Sequence, residues 1–442
     1  MFYIFSSLLV LIFLLDINML KTFDLFNKAS SNFGNFIFLG ISIASLILSS
    51  FILKYNWNYI NEFIKKSNII YIILKITLVT QVFLFLLLVV LNSQIILLNY
   101  YSIYILIISL FVSYCWSFFI LFFLTYKFLH WYNVKKNYLL VFYSLAFGTI
   151  LLEAIFKLGF TESIMLFKPL YIFPMTIGSN VFIAPGSIQG LFHNIFSILS
   201  ILSFLFSWLA SIIMLKEYSD KLGKLKFWVI VGIPLIFYIV QFIVQSNSQI
   251  IFQITSNITS FSITLTILFI FSQLIGGLLF GIPFWTIAKT IHNSAIKASM
   301  TITGFGFIFL FLTNQAHGIV VSPYPPYGIT TSLYFGLSSF LLMVGFYCSA
   351  IYISENKDIR KFIRNDILKH DLLSQLSNRF IEDKTIKYVS HITKIHQKSS
   401  KEELFTNYDE LFLRDEDIKR YIKSVVDEIS INKDAIDDSK NR

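Results

Sequence analysis

The sequence predicts an all-α, polytopic transmembrane helix bundle of about ten spans, and three observations lead to this prediction. The 442 residues are 56% hydrophobic and only 14% charged, whereas soluble proteins carry roughly a quarter charged residues. Long apolar runs recur along the chain, and many approach the ~20 residues that a spanning helix needs. These runs do not alternate polar and apolar positions, as the strands of an outer-membrane barrel do.

Apolar runs bounded by polar or charged residues give the predicted spans in chain order. They cover about residues 2–20, 35–53, 69–91, 103–126, 138–158, 190–215, 227–245, 260–288, 299–315 and 330–353. The first run lacks a basic n-region and a small-residue cleavage site, so we expect a retained helix rather than a signal peptide. The chain thus divides into a transmembrane bundle over 1–353 and a helical tail over 354–442.

The lysines of the connecting loops predict the orientation of the bundle. One set of alternate loops contains twelve of them, namely Lys54, Lys65, Lys66, Lys127, Lys135, Lys136, Lys216, Lys221, Lys224, Lys226, Lys289 and Lys297. The other set contains Lys21, Lys28 and Lys168. Because basic residues in short loops mark the cytoplasmic side, we expect a cell-membrane protein with both termini in the cytoplasm. A nucleic-acid partner would require a clustered basic face. Because the basic residues behind the net charge of +10 are spread over short loops, we predict no such partner.

The tail beyond Ser354 differs in composition from the rest of the chain. It balances 18 Lys and Arg against 18 Asp and Glu. Apolar residues recur there at helical spacing, at Ile418, Tyr421, Ile422, Val425 and Ile429. Acidic residues at 415–417 favour the start of that helix. We expect a small helical cytoplasmic appendage that pairs with a protein partner or with itself; a solvated, partly disordered tail is the alternative.

Glu153 and Lys157 are the most informative charged residues of the predicted spans. They are four residues apart with the acid first, which is the favourable order for an ion pair on a helix. Ionisable residues inside a bilayer are expensive and suggest function by default. We place this pair near the outer end of the fifth span, either as a structural bridge or as the floor of an outward-facing polar cavity.

The seventh span adds a row of amides. Gln241 and Gln245 are followed at the same four-residue spacing by Gln249 and Gln253, so a continuous helix would align them on one face. Pro234 is expected to kink this helix. The row predicts either a polar path in the outer half of the bundle or hydrogen bonding between helices.

Histidines give only a weak metal pattern. None of the seven is expected at mid-membrane depth, and His193 and His317 share the predicted outer face. Two histidines without a companion cysteine or paired carboxylate make a poor metal site. The alternative is a pair of interfacial histidines bonded to backbone or water, and we predict no cofactor.

A proline-rich turn joins the last two predicted spans. It contains Pro323, Tyr324, Pro325, Pro326 and Tyr327 and is followed by Gly328. Prolines at this density restrict the chain to extended or polyproline geometry. We expect a stiff turn whose tyrosines anchor the chain at the lipid headgroups. Glycines elsewhere, at 277 and 281 and at 304 and 306, predict close helix packing.

The segment 314–364 resembles a group of polytopic membrane proteins that occur in multiple copies in ammonia-oxidising archaea. The resemblance is carried by the PYPPYG turn at 323–328, by the small-residue-rich final span and by the SxxxxIRKxIR exit at 354–364. His317 and the Glu355–Asn356 pair depart from the group's pattern. The resemblance implies architecture and lineage, and it transfers no catalytic residue.

Three classes of function remain open from the sequence. The first is movement of a small solute or ion through an outward-facing polar cavity. The second is a non-catalytic sensor, scaffold or accessory subunit of a membrane complex that acts through the tail. The third, a membrane-embedded enzyme acting on lipid or a lipid-linked sugar, would require convergent acids or histidines, and the sequence groups none.

Overall fold

The computed structural model describes ten stretches of the chain: residues 2–26, 31–64, 68–98, 100–132, 138–167, 187–216, 223–246, 277–289, 293–314 and 325–355. Every regular element within them is a helix. In chain order these are α1 Phe2–Phe26, α2 Ser31–Ile64, α3 Asn68–Leu98, α4 Ile103–Tyr132, α5 Tyr138–Phe167, α6 Ile188–Lys216, α7 Lys224–Ser246, α8 Gly277–Lys289, α9 Ser294–Thr313, α10 Ile329–Ser332 and α11 Phe335–Glu355. The predicted tail lies outside the described residues from 356 onward.

Seven helical segments in the described part are long and apolar enough to cross a membrane. They are Gly34–Tyr59, Ile70–Leu98, Ile103–Tyr132, Tyr138–Met165, Ile188–Lys216, Ser294–Thr313 and Ile329–Ala350. Each coincides with a predicted span, so the expectation of an all-helical chain with several apolar spans is confirmed for these residues. The apolar helices Phe2–Ile17 and Gly277–Lys289 are shorter, and the count of about ten spans stays a prediction.

Several helices, α2, α3 and α5 among them, continue past the ends that the sequence predicted for their spans. Just beyond those ends, polar side chains bond back to the carbonyl four residues earlier. Asn56 donates to Ile52 at 2.8 Å, Asn92 to Leu88 at 2.9 Å and Thr161 to Lys157 at 2.8 Å. A polar residue satisfied in this way does not interrupt a helix, so α2, α3 and α5 run on to residues 64, 98 and 167.

The last helix is at the centre of the bundle. In the most apolar 18-residue stretch of each helix, all residues are buried in Ile329–Ala350 and 78% in Ser294–Thr313, against 28% in Ile70–Leu98 at the periphery. α11 packs on α9, α4 and α3, while α5 pairs with α4 and α6. The peripheral helices turn large apolar side chains outward, such as Val79 at 70% and Leu97 at 78% exposure. Such an outer surface is suited to a lipid environment.

Glycines allow the closest helix contacts. A Cβ at Gly281 in α8 would lie 2.8 Å from the carbonyl oxygen of Gly304 in α9. One at Gly345 in α11 would overlap the Thr303 hydroxyl and lie 2.9 Å from the Ser299 carbonyl oxygen. The packing role predicted for the small residues of α8 and α9 is thus visible in the contacts.

Replacing Gly345 by Ala is expected to lower the free energy of unfolding by about 1–3 kcal/mol, because the backbone of α9 cannot move aside cheaply. Thermal unfolding of the purified protein in mild detergent, followed by tryptophan fluorescence, measures the change. Gly40→Ala is the matched control, since a Cβ at Gly40 meets nothing within 4 Å. Equal unfolding temperatures for the two variants would contradict the expectation.

Candidate functional site

Glu153 and Lys157 form a buried ion pair in the middle of α5. The Lys157 Nζ lies 2.6 Å from the Glu153 Oε1, and each residue is 4% exposed. The four-residue spacing puts both side chains on one face of the helix. Because α5 has 30 residues and continues to Phe167, the pair lies near its midpoint and not, as predicted, near the end of a shorter span.

Three neighbouring helices complete the coordination of this pair. The Ser203 hydroxyl of α6 donates to the Glu153 Oε2 at 3.1 Å. The Lys157 Nζ donates to the Asn314 carbonyl oxygen at 2.9 Å, and the Tyr114 hydroxyl of α4 donates to the Asn314 Oδ1 at 3.3 Å. We call these five residues the Glu153–Lys157 network.

The surroundings of Lys157 favour its positive charge. Asn314 is the C-cap of α9, so its carbonyl belongs to the negative end of the helix dipole. The Nζ also lies 5.8 Å from the ring centroid of Phe196, within range of a cation–π interaction. Burying two charges costs several kcal/mol per ion, and these contacts offset much of that cost. The pair is enclosed by side chains, unlike the floor of an open cavity.

The other predicted cavity residues are only partly described. Gln241 and Gln245 lie in the last turns of α7, and their side chains are outside the described residues. Pro234 lies inside the same helix. The Trp208 indole N–H of α6 donates to the Val231 carbonyl oxygen at 3.0 Å, three residues before this proline.

His193 lies apart from the Glu153–Lys157 network. It is exposed on α6, with its ring 5.0 Å from that of Phe196 and 5.5 Å from that of Phe160. Along α6 it precedes Ser203 by a rise of about 15 Å. His317 is outside the described residues. Among the residues that are described, no three His, Cys, Asp or Glu side chains are grouped closely enough to hold a metal ion.

The end of the proline-rich turn lies inside the protein. Pro323 and Tyr324 are outside the described residues, while Pro325 and Pro326 are buried. Tyr327 is 1% exposed, donates its hydroxyl to the Gly34 carbonyl at 2.9 Å and packs its ring 5.7 Å from Phe38. Its surroundings are therefore α2 and not the headgroups that we expected.

Asp16 is a buried acid that the sequence analysis did not single out. It is 0% exposed and accepts hydrogen bonds from Gly328 N at 2.9 Å, Thr331 N at 2.9 Å and Thr331 Oγ1 at 2.8 Å. These bonds join α1 to the start of α10. The rule that drew attention to Glu153 applies equally to Asp16, because residue 16 lies inside the predicted first span.

The final span is interrupted at residues 333–334, just beyond the short helix that Asp16 holds. Gly328 has a φ of +86°, a left-handed conformation that suits glycine, and α10 ends at Ser332 before α11 begins at Phe335. At the break, the Ser113 hydroxyl of α4 lies 3.0 Å from the carbonyl oxygens of both Ser332 and Leu333. Tyr334 contacts Ser45 and Ser49 of α2. Hydroxyl groups of neighbouring helices thus stabilise the interruption.

A groove of about 340 Å³ lies on α2, lined by Leu46, Ile47, Ser50, Phe51 and Lys54. It contains none of the predicted site residues, and its lining is mainly apolar. Among the described residues, the Glu153–Lys157 network and the Asp16 contacts are therefore the candidates for a functional site. Comparison of the chain with protein-family models, with curated proteins and with solved structures found no match.

Proposed function

We propose that this chain moves a small ion or solute across the cell membrane, and that the Glu153–Lys157 network lies on its path. The protein has ten spans and both termini in the cytoplasm under this proposal, as the loop lysines indicate. The buried ion pair at the middle of α5 carries the argument. Charges at this depth are expensive, and in membrane proteins they commonly mark ion or proton pathways.

The hydrogen-bond partners of Glu153 and Lys157 would allow this ion pair to separate. A cation or proton that binds Glu153 takes away one of the two oxygens that Lys157 contacts and leaves it the Asn314 carbonyl at 2.9 Å. Asn314 ends α9, and Tyr114 of α4 holds its amide. Binding at Glu153 thereby changes the contacts between α5, α6 and α9. The interrupted final span is a further supporting feature, because discontinuous helices line the sites of many transporters.

Flux measurements on the full chain in liposomes test the proposal. Proton movement is followed with a trapped pH-sensitive dye, and sodium and potassium movement with trapped ion-sensitive dyes. We expect flux above that of empty liposomes and at least a tenfold loss in Glu153→Gln. Thr149→Ala, which removes a partly exposed hydroxyl that bonds to the Leu145 carbonyl of its own helix, should leave the flux unchanged. Wild-type protein that moves none of these ions would overturn ion transport.

The second candidate is a sensor, scaffold or accessory subunit, which involves no catalysis and whose partner is a membrane complex or a second copy of the chain. The composition of the tail beyond residue 354 supports it. We also propose that the chain shares the lineage suggested by the PYPPYG turn and the IRKxIR exit. Partner proteins that co-purify in mild detergent and are lost when the tail is removed, together with an absence of flux, would favour this candidate.

A further inference from the structure

Three serines form a buried row on α6. Ser203, Ser207 and Ser211 are each four residues apart, so they share one face of the helix, and they are 2%, 1% and 1% exposed. Ser203 donates to the Glu153 carboxylate. Ser207 and Ser211, in contrast, have hydroxyl oxygens with no hydrogen-bond partner among the described residues. The row therefore begins at the ion pair and continues as two unpartnered polar groups.

Contacts on either side fix the position of this row. Glu153 of α5 meets Ser203, and the Tyr143 hydroxyl of α5 donates to the Met214 sulfur at 3.2 Å. The chain numbers fall on α5 as they rise on α6, so the two helices are antiparallel. Ser207 and Ser211 consequently lie between those two contacts. The row runs along the α5–α6 interface from the middle of the bundle toward its lysine-rich end.

The missing partners are unusual for helical serines. In this protein Ser197 bonds back to the His193 carbonyl at 2.7 Å, and Ser109 to that of Ile105 at 2.6 Å. A buried hydroxyl without any partner is destabilising, and ordered water is the usual partner where protein supplies none. Successive hydroxyls are about 6 Å apart along the helix. One water molecule with two hydrogen bonds of about 2.8 Å bridges such a gap.

We propose that Ser203, Ser207 and Ser211 hold a short chain of water that conducts protons between the lysine-rich end and Glu153. This inference rests on the proposed function and names the proton as the ion that reaches the site. A proton from cytoplasmic water passes along the chain; at each step one O–H bond forms as the preceding one breaks. The last transfer is to the Glu153 Oε2, which becomes the acid.

Other groups around Glu153 fit this role. Lys157 supplies the positive charge, and it keeps the Asn314 carbonyl when Glu153 is neutral. Tyr238 of α7 also interacts electrostatically with Glu153, and Tyr143 marks the end of the row that is nearer to the lysine-rich loops. Protonation of Glu153 therefore weakens its hold on Lys157 without leaving the ammonium group unsolvated.

The test compares Ser207→Ala/Ser211→Ala with wild type in two measurements. The first is infrared detection of the carboxylic acid band after a pH jump, with Glu153→Gln identifying the band. The second is proton flux in liposomes. We expect the band to appear at least ten times more slowly and the proton flux to fall by a similar factor. Replacing unpartnered hydroxyls by alanine is close to neutral for folding, so the double variant should be stable.

Ser197→Ala is the matched control, because this exposed α6 serine bonds to its own helix, and it should change neither measurement. Unchanged band kinetics in the double variant would overturn the water chain, even where Glu153→Gln still abolishes flux and transport stands. A wild-type protein without a Glu153 acid band would overturn it too. Slowed band kinetics together with unchanged sodium or potassium flux in the double variant would support the water chain. They would also show that sodium and potassium do not use it.

Discussion

Lys157→Ala is expected to reduce the stability of the protein more than any other single substitution in the Glu153–Lys157 network. The change leaves the Glu153 carboxylate, 4% exposed, with only the Ser203 hydroxyl as partner. Breaking a buried pair from one side typically lowers the free energy of unfolding by about 3–5 kcal/mol. Thermal unfolding in mild detergent, followed by tryptophan fluorescence, should show a fall of the transition temperature.

Two comparisons make this prediction specific. Glu153→Gln/Lys157→Met, which removes both charges, should recover most of the lost stability, because a neutral pair needs no counter-ion. Lys75→Ala is the matched control, since Lys75 is exposed on α3 and lies over the Tyr71 ring. A Lys157→Ala protein as stable as Lys75→Ala would show that the ion pair does not stabilise the bundle.

Asp16→Ala is expected to have the second-largest effect. It removes the acceptor of three hydrogen bonds and leaves Gly328 N, Thr331 N and Thr331 Oγ1 unpaired in the interior. The three hydrogen bonds to this acid are lost, but the cost of burying its charge is removed at the same time, so we expect the free energy of unfolding to fall by about 3 kcal/mol. The unfolding transition in detergent measures it. Asp16→Asn, which keeps one acceptor oxygen, should lie between Asp16→Ala and wild type.

Ser6→Ala provides the control on the same helix. Its hydroxyl is buried and has no hydrogen-bond partner in the described part of the chain, so its removal should leave stability unchanged or slightly improved. If Asp16→Ala and Ser6→Ala unfold at the same temperature, the contact between α1 and the final span contributes nothing measurable.

The sequence predicted the helical class and most span positions because apolar length alone determines them. It located helix ends less well, since Asn92 and Thr161 look like terminators in the sequence and yet bond within their own helices. The ion pair was predictable because Glu153 and Lys157 are close in sequence. Their partner Ser203, however, is contributed by another helix.

Contacts between residues that are far apart in the sequence could not be predicted from the pattern of apolar residues. Nothing in the neighbourhood of Asp16 indicates that its partners are Gly328 and Thr331, more than three hundred residues away. The burial of Tyr327 was likewise unpredictable, because the same side chain suits either a headgroup region or the Gly34 carbonyl that it contacts. The orientation of side chains between packed helices depends on register, which apolar composition does not encode.

The central position of α11 has a consequence for how the protein is made. The helix that leaves the ribosome last among those described is the one that the others surround completely. Until it arrives, the earlier helices lack their contacts with it, although α5 can already pack on α4 and α6. Until then Asp16 lacks Gly328 and Thr331, and Lys157 has Asn314 only once α9 has been inserted. Completion of the bundle is thus a late event, and a chain that ends before residue 325 lacks the helix around which the other described helices pack.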